Sequence, residues 1–367
     1  LLPVTMKNGY QYGLHSKLPE IQSLFNSGKA AIVANVGTLV TPTSRSQYLG
    51  ASVPLPSQLF SHSDQTAQWQ NVTPSGISST GWGGRMIDSL QANGQNATAQ
   101  FPAITNTGGC GPFCIGANSL PTMVPPGGAI GISGVAGNVA RTNAVQQLIT
   151  FDNGLQLVQA ANNILSKGNT YAGLLNGAIA GLNLSTPFPA NNPLAAQLQM
   201  VAKIIAVRNQ LGLTRQVFYC SLGGFDTHTT ELASQDALLQ QVSQAINAFY
   251  NATLALGVDQ SVTTFTCSEF GRTLMPNSSG GSDHAWGGGM HFVVGGAVKG
   301  GDMYGAYPLM ALNTGDDATG RGAMIPGVSV DQYGATMASW FGVPAGSLNG
   351  IFPSLVNFPN QQNLGFV

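Results

Sequence analysis

The chain has 367 residues, of which 43% are hydrophobic and only 7% are charged, and its formal net charge is -1. This length suits one large domain or two smaller ones with a sizeable core. No apolar run reaches about 18 residues, so no membrane span is expected. The near-zero charge, without a basic patch, argues against nucleic acid as a partner.

Hydrophobic spacing predicts helices that alternate with short buried strands. In chain order we expect a helix over residues 18–25, a strand over 30–36, and short helices over 64–70 and 82–93. An irregular insertion rich in glycine and proline follows over about 101–140, then helices over 141–186 and 190–213. The rest comprises strands over 216–222 and 261–267 and helices over 230–256 and 330–341. No clean linker interrupts this order, which predicts a single α/β domain over 1–367 with a mostly parallel sheet.

Polar residues follow two of the predicted strands directly. Asp226 and His228 come after the strand at 216–222, and Glu269 and Arg272 come after the strand at 261–267. Ligands of open α/β sheets bind beyond the carboxyl ends of the strands, so these two groups are expected to share one site.

Histidine and aspartate are concentrated in the same part of a chain that has only five histidines. Asp226 and His228 are one residue apart, Asp283 and His284 are adjacent between glycines, and His291 opens a strand-like run. Neutral imidazole and carboxylate are ligands of Zn²⁺ and Mn²⁺, so the five residues form a candidate metal site. Taken singly, each of them is better explained as an Asx-turn aspartate or a strand-edge histidine, and only the group together favours a metal.

Ser61 and Ser63 stand at the predicted start of a helix, with His62 between them and Asp64 after them. Helix capping is one interpretation. A serine nucleophile beside a metal is the other, because a helix N-terminus also favours anions. Arg272 has two interpretations as well: it binds a phosphate or sulfate oxyanion, or it forms a salt bridge to Glu269.

The four cysteines indicate whether the protein works in an oxidising or a reducing compartment. Cys110 and Cys114 lie in a flexible turn, where we expect a small disulfide and therefore an oxidising environment. Cys220 and Cys267 lie in apolar runs and are expected to be buried free thiols.

Several motifs together resemble the bacterial DUF1501 family. They are YGLH at 12–15, NVGTL at 35–39, LFSHSDQ at 59–65, TGWGGR at 80–85, GFDTH at 224–228, SEFGRT at 268–273 and DHAWGG at 283–288. That family is related to the sulfatase and alkaline phosphatase superfamily, and its members are often exported by the twin-arginine route. The resemblance implies an alkaline-phosphatase-like sheet between helices, in an exported protein of the periplasm or extracellular space.

The resemblance also implies a function for the candidate site. Its substrate would be a small anionic ester of phosphate or sulfate, cleaved by Ser61 or Ser63 beside two divalent ions, Zn or Mn, with Arg272 on the oxyanion. Asp283 and His284 resemble the ligands of one ion, and Asp226, His228 and His291 resemble those of the other. The alternative is an extracellular structural or assembly protein that has the same fold and a degenerate metal site.

The chain departs from the family pattern at its start. Family members open with a central strand that ends in Gly-Gly-Asn-Asp, and no such motif precedes Leu14. A sheet without this strand exposes unpaired backbone groups. We expect a cleaved but bound N-terminal piece, a piece missing from this sequence, or a neighbouring molecule in a homo-oligomer to supply the strand.

Overall fold

The computed structural model describes residues 1–127, 131–132, 134–135, 137–152 and 154–367. The first elements are β1 (Leu2–Thr5), β2 (Gln11–Leu14), α1 (Pro19–Asn26), β3 (Ala30–Gly37), α2 (Arg45–Leu49), α3 (His62–Asn71), α4 (Trp82–Ala92), β4 (Ile104–Asn106), β5 (Thr122–Met123) and α5 (Val139–Thr150). The remaining elements are α6 (Gln156–Ile179), α7 (Pro193–Ala206), β6 (Val217–Tyr219), α8 (Glu231–Ala255), β7 (Thr263–Phe265), β8 (Gly289–Gly295), β9 (Met303–Tyr304), β10 (Val328–Ser329), α9 (Val330–Phe341) and α10 (Leu348–Ile351). The mixed α/β class predicted from the sequence is confirmed.

The larger sheet has the strand order β10–β3–β8–β7, with β9 also paired to β3. β3 runs parallel to β9 and β10, whereas β8 runs antiparallel to both β3 and β7. The expectation of a mostly parallel sheet is therefore wrong for this sheet, which is mixed. The connection between β7 and β8, residues 266–288, contains no helix, so β8 returns antiparallel without the helical crossover that usually joins parallel neighbours.

A second, three-stranded sheet is parallel, with the order β5–β4–β6, and β1 and β2 form a separate antiparallel pair. Its middle strand β4 falls within the stretch predicted as an insertion, and Ile104 in that strand is fully buried. Neither β6 nor β7 has a strand on its second side among the described residues, so each is the edge of its sheet.

Helices cover both faces of β3: Ala30 and Ile32 pack with α1 and α8, and Ala31 and Val33 pack with α4 and α9. All eight residues of β3 are buried, as expected for a strand covered on both faces. α7 begins at the N-cap Asn192, whose side chain accepts from the backbone of Ala195, and α7 packs on α8. No helix in the described part of the chain is both long and apolar enough to cross a membrane.

The cysteines are all free thiols in this structure. The expected disulfide between Cys110 and Cys114 is therefore not formed, although the two thiols lie close enough to interact. Cys114 is fully buried, and contact with Cys110 together with burial raises the pKa of its thiol. A thiol held in its protonated form is a weak nucleophile.

Candidate metal centre

Asp226 is the centre of a side-chain cluster beyond the carboxyl ends of β6 and β7. Its Oδ1 atom lies 3.0 Å from His228 Nε2 and 3.2 Å from His284 Nε2. Its Oδ2 atom lies 3.0 Å from His62 Nε2. One carboxylate thus faces three imidazole rings that come from three separate segments of the chain.

His62, the first residue of α3, is held in a fixed orientation. Its Nδ1 lies 2.7 Å from Glu269 Oε1, and its ring packs against Phe270 at 4.7 Å between centroids. A carboxylate on Nδ1 fixes the proton there, which leaves the Nε2 lone pair free to bind another group. That Nε2 atom is buried and makes no aligned hydrogen bond, although Asp226 is near.

His284 is oriented in a similar way by the backbone. Its Nδ1 lies 2.7 Å from the carbonyl oxygen of Phe60, which can only accept, so Nδ1 carries the proton. Its Nε2 atom then faces Asp226 and also lies 3.0 Å from Nε2 of His228. The Nε2 atoms of His62 and His284 therefore both point at one carboxylate.

This geometry suits a cation. His62, Asp226 and His284 each offer one ligand atom, and these three atoms lie within 4.8 Å of one another. Among the described residues of the chain, no other group of His, Cys, Asp or Glu side chains comes together in this way. His228 stands directly beside it. Imidazole nitrogen with carboxylate oxygen is a donor set that Zn²⁺ and Mn²⁺ accept.

The charge on Asp226 is fixed by its neighbours. Burial acts to raise the pKa of this carboxyl, but the hydrogen bond and positive charge of Arg272, with His62 close by, outweigh it and lower the pKa to about 2. The carboxylate is therefore ionised throughout the neutral range, as a metal ligand must be.

Asp283 and His284 are adjacent, but their side chains have different partners. Asp283 Oδ2 lies 2.7 Å from Arg321 Nη1, and Asp283 Oδ1 lies 3.6 Å from His228 Nδ1. The Arg321 hydrogen bond keeps the pKa of Asp283 below its ordinary value. Asp283 thus contacts the far side of the His228 ring and makes no ion pair with the three-residue group.

Gly281 allows the loop that carries Asp283 and His284 to reach the cluster. A Cβ atom at this position would lie 2.2 Å from the carbonyl carbon of His228. Only glycine permits such a close approach between the two backbones.

Arg272 is bound to the cluster rather than to Glu269. Its Nη1 donates to Asp226 Oδ1 at 2.5 Å, and its Nε donates to the hydroxyl of Ser282 at 3.0 Å. Glu269, the salt-bridge partner considered in the sequence, pairs with His62 instead. Arg272 therefore places a positive charge at the centre of the site.

Ser61 and Ser63 flank His62 at the start of α3. Ser61 is the N-cap residue, but its side chain makes no capping bond. Its hydroxyl donates instead to Asp64 Oδ2 at 2.6 Å, and the hydroxyl of Ser63 lies 3.2 Å from the same oxygen. Phe60 just before them has a φ of 73°, a left-handed conformation that is unusual for a bulky residue and is typical of strained functional loops.

His291 lies outside the three-residue group. It is 3% exposed, its Nδ1 lies 3.3 Å from the hydroxyl of Thr266, and its ring packs against Trp69. Burial lowers the pKa of His291 to about 4, so it is neutral in the folded protein.

A family model described as "Protein of unknown function (DUF1501)" matches residues 134–349, more than half of the chain. The chain belongs to the DUF1501 family. The match includes Asp226, His228, Arg272 and His284 of this DUF1501 protein, whereas His62 precedes it. No curated protein and no solved structure matches the chain.

The main residue that the sequence did not single out as a ligand is His62. It was considered only with the helix cap, because nothing in the local pattern connects it to Asp226. The signal that could have identified it is scarcity: of only five histidines in this DUF1501 protein, three meet at one carboxylate.

Proposed function

We propose that this protein is a metal-dependent hydrolase that cleaves phosphate or sulfate esters at the cluster around Asp226. One observation carries the proposal: His62 and His284, each held through Nδ1, turn their Nε2 atoms toward the same carboxylate. Histidines oriented in this way through their second nitrogen are typical of metal ligands.

The residues fit a divalent cation such as Zn²⁺ or Mn²⁺, which His62, Asp226 and His284 would hold with His228 beside them. The buried Nε2 of His62 lacks an aligned partner, and Asp226 is ionised at neutral pH. A bound cation would supply Lewis acidity at an ester oxygen. For a second ion, Asp283 would have to give up its pairing with Arg321.

Ser61 is the better placed of the two candidate nucleophiles. It lies between Phe60, whose carbonyl binds His284, and His62, whose ring faces Asp226. Its hydroxyl donates to Asp64, so the carboxylate can take the proton as Oγ bonds to phosphorus or sulfur and the bond to the ester oxygen breaks, which releases the alcohol. Ser63 is more exposed and makes the longer bond to Asp64.

Arg272 would attract the substrate anion. Its guanidinium is 16% exposed and reaches the cluster through Nη1, while Ser282 fixes its other side. Guanidinium groups bind phosphate and sulfate oxygens through paired N–H donors.

The superfamily and the cellular location of the protein are part of the same proposal. The motifs at 59–65, 224–228 and 283–288 supply the side chains of one cluster, which supports membership of the sulfatase and alkaline phosphatase superfamily. Export to the periplasm or extracellular space is proposed on the same resemblance. Mass spectrometry of periplasmic and cytosolic fractions of the source cells tests it, and recovery in the cytosol alone would contradict it.

The first experiment is elemental analysis of the wild-type protein after addition of Zn²⁺ or Mn²⁺. His62→Ala is the test variant, and His15→Ala is the matched control because His15 pairs with Asp236 outside the cluster. We expect stoichiometric metal in the wild type and in the control, and loss of metal in His62→Ala. Equal metal content in all three proteins would refute the assigned ligands.

The second experiment measures hydrolysis of p-nitrophenyl phosphate and p-nitrophenyl sulfate. Ser61→Ala is expected to lose activity while it keeps its metal, and Ser63→Ala is expected to retain both. If the metal-loaded wild type cleaved neither ester, the proposed hydrolase activity would be contradicted, whereas the assignment of the metal ligands would be unaffected.

A second candidate function, a structural or assembly role, is favoured by the helices α5 and α6. They expose large apolar side chains: Val139 is 75% exposed, Leu148 63%, Leu157 83% and Ile164 74%. Exposed apolar residues gathered on neighbouring helices are typical of interaction surfaces. Sedimentation velocity tests this role: multimers that dissociate in Leu157→Lys would support it, and a monomer at all concentrations would exclude it.

A further inference from the structure

Gln65 is a completely buried glutamine in the first turn of α3. Glutamine is mostly an exposed residue, and a buried amide keeps hydrogen-bond partners. The Gln65 N–H donates to the carbonyl of Ser61 at 3.0 Å, so Gln65 lies one turn after the residue that begins the helix. Helical side chains lean toward the N-terminus, so the amide of Gln65 points back at the loop before Ser61.

The amide of Gln65 contacts two separate segments of the backbone. The Phe60 N–H donates to Gln65 Oε1 at 2.5 Å. Gln65 Nε2 lies 3.5 Å from the carbonyl oxygen of Glu269, which is a longer contact. An N–H group only donates and a carbonyl only accepts, so these partners fix which end of the amide carries the oxygen. One buried side chain therefore joins the loop before α3 to the loop after β7.

The backbone of Phe60 needs a restraint of this kind. Its φ of 73° lies in the left-handed region, which bulky residues rarely adopt, and Gln58 two positions earlier has a φ of 50°. Strained conformations persist only where the surrounding structure holds them. The short hydrogen bond from the Phe60 N–H to a completely buried amide holds one side of this residue, and its ring packs on the cluster that contains Trp286.

Phe60 passes this restraint on to His284. The carbonyl oxygen of Phe60 lies 2.7 Å from His284 Nδ1. The angle φ of Phe60 sets the direction of that carbonyl relative to the N–H that Gln65 binds. If Phe60 relaxed to a negative φ, its carbonyl would turn away from His284, and the ring would lose the partner that fixes its proton on Nδ1.

The contact with Glu269 leads to the second oriented ring. Glu269 Oε1 lies 2.7 Å from His62 Nδ1, and Gln65 Nε2 contacts the backbone of the same residue. Both histidines whose Nε2 atoms face Asp226 through a held Nδ1 are thus oriented by residues that Gln65 touches.

We propose that Gln65 is the positioning residue of the metal centre. Its buried amide holds Phe60 in the left-handed conformation and thereby aligns His284, with a weaker effect on His62 through Glu269. The ligands are then arranged before a cation binds, as a tight site requires. This role rests on the proposed metal centre and is independent of hydrolysis.

Gln65→Met is the test variant, because methionine is also long and unbranched but has no amide. Gln70→Met is the matched control. Gln70 lies on the same helix, is 9% exposed and accepts a hydrogen bond from the Phe113 N–H, so it also binds a backbone donor, but outside the metal centre. Both variants should lower the melting temperature, whereas only Gln65→Met should affect the histidines.

The first measurement is the tautomer of His284 in the metal-free protein, by ¹⁵N NMR of the imidazole nitrogens. The wild type and Gln70→Met are expected to carry the proton on Nδ1. Gln65→Met should show both tautomers, because the Phe60 carbonyl is no longer held in place. A His284 ring that keeps its proton on Nδ1 in Gln65→Met would overturn the proposal.

The second measurement is Zn²⁺ affinity by calorimetry. Gln65→Met should weaken binding about 10–100-fold, the usual effect of losing a group that orients a metal ligand, and Gln70→Met should bind as the wild type does. Equal affinities in all three proteins would count against the role of Gln65. If the wild type bound no Zn²⁺, the metal centre itself would be contradicted, and the tautomer of His284 would still decide whether Gln65 positions that ring.

Replacement of Phe60 separates positioning from the filling of space. Glycine adopts positive φ as readily as negative φ, so a glycine at position 60 should not need the amide. In a Phe60→Gly background, Gln65→Met should change Zn²⁺ affinity by no more than about twofold, the level of additive behaviour. Phe60→Asn, which also tolerates this conformation, is the second background if loss of the ring unfolds the glycine variant. The same 10–100-fold loss in these backgrounds would refute the positioning role.

Discussion

Replacing Asp331 by asparagine is expected to stabilise the protein at pH 8 and to change it little at pH 4. Asp331 is 5% exposed in the first turn of α9. Burial raises the pKa of its carboxyl from 3.8 to about 7, against the opposing effects of a hydrogen bond from Ser354 and the charge of Arg85. The ionised form is thus disfavoured in the folded protein.

The sign and size of the expected stability change follow from the difference in proton binding between the folded and unfolded states. Between pH 4 and pH 7 the folded state holds a proton that the unfolded chain has lost, so wild-type stability falls as the pH rises through this window. A pKa difference of about three units corresponds to about 4 kcal/mol of unfolding free energy lost by pH 8. Asparagine has no proton to lose, so the variant should avoid this loss.

The substitution leaves the local hydrogen bonds in place. The Ser354 N–H donates to Asp331 Oδ1 at 2.9 Å, and the amide oxygen of asparagine can accept the same bond. Arg85 keeps its backbone acceptors at Asn71 and Ile351, although it loses the attraction of the carboxylate. The gain at pH 8 is therefore expected to stay below about 4 kcal/mol.

The assay is urea unfolding followed by circular dichroism at pH 4 and pH 8. Asp302→Asn, at a half-exposed position, is the matched control substitution. If Asp331→Asn differed from the wild type by the same free energy at both pH values, the carboxyl would not titrate in this window. The reasoning from burial would then be wrong.

Three further substitutions test the metal centre and the core. Glu269→Gln should weaken Zn²⁺ binding about 10–100-fold, because the carboxylate that orients His62 is lost. Calorimetry measures this affinity, and an unchanged value would show that Glu269 does not position the ring. Gly281→Ala should lower both the melting temperature and the metal content, because the alanine Cβ would lie 2.2 Å from the backbone of His228. A melting temperature and a metal content equal to those of the wild type would contradict the close packing. Trp82→Ala should cost about 3–5 kcal/mol in urea unfolding, because Trp82 is 1% exposed; a loss below about 1 kcal/mol would mean that the site can collapse around the missing ring.

Long periodic elements were predictable from the sequence. The strand expected at 30–36 is β3 (Ala30–Gly37), the helix expected at 230–256 is α8 (Glu231–Ala255), and the helix at 330–341 is α9 (Val330–Phe341). In each case a continuous local signal specifies the element. The strands expected at 216–222 and 261–267 are shorter in the structure, because each has a paired neighbour on only one side.

The sequence by itself determined the α/β class, and it placed Asp226, Arg272 and His284 on loops that follow strands or glycine-rich turns. These properties depend on neighbours along the chain, where periodicity and turn chemistry act. Only the tertiary structure decided that His62 meets Asp226 and that Arg272 pairs with Asp226 rather than Glu269. Such contacts join segments far apart in the chain, and their partners are set by the path of the backbone and by packing, which no local pattern encodes.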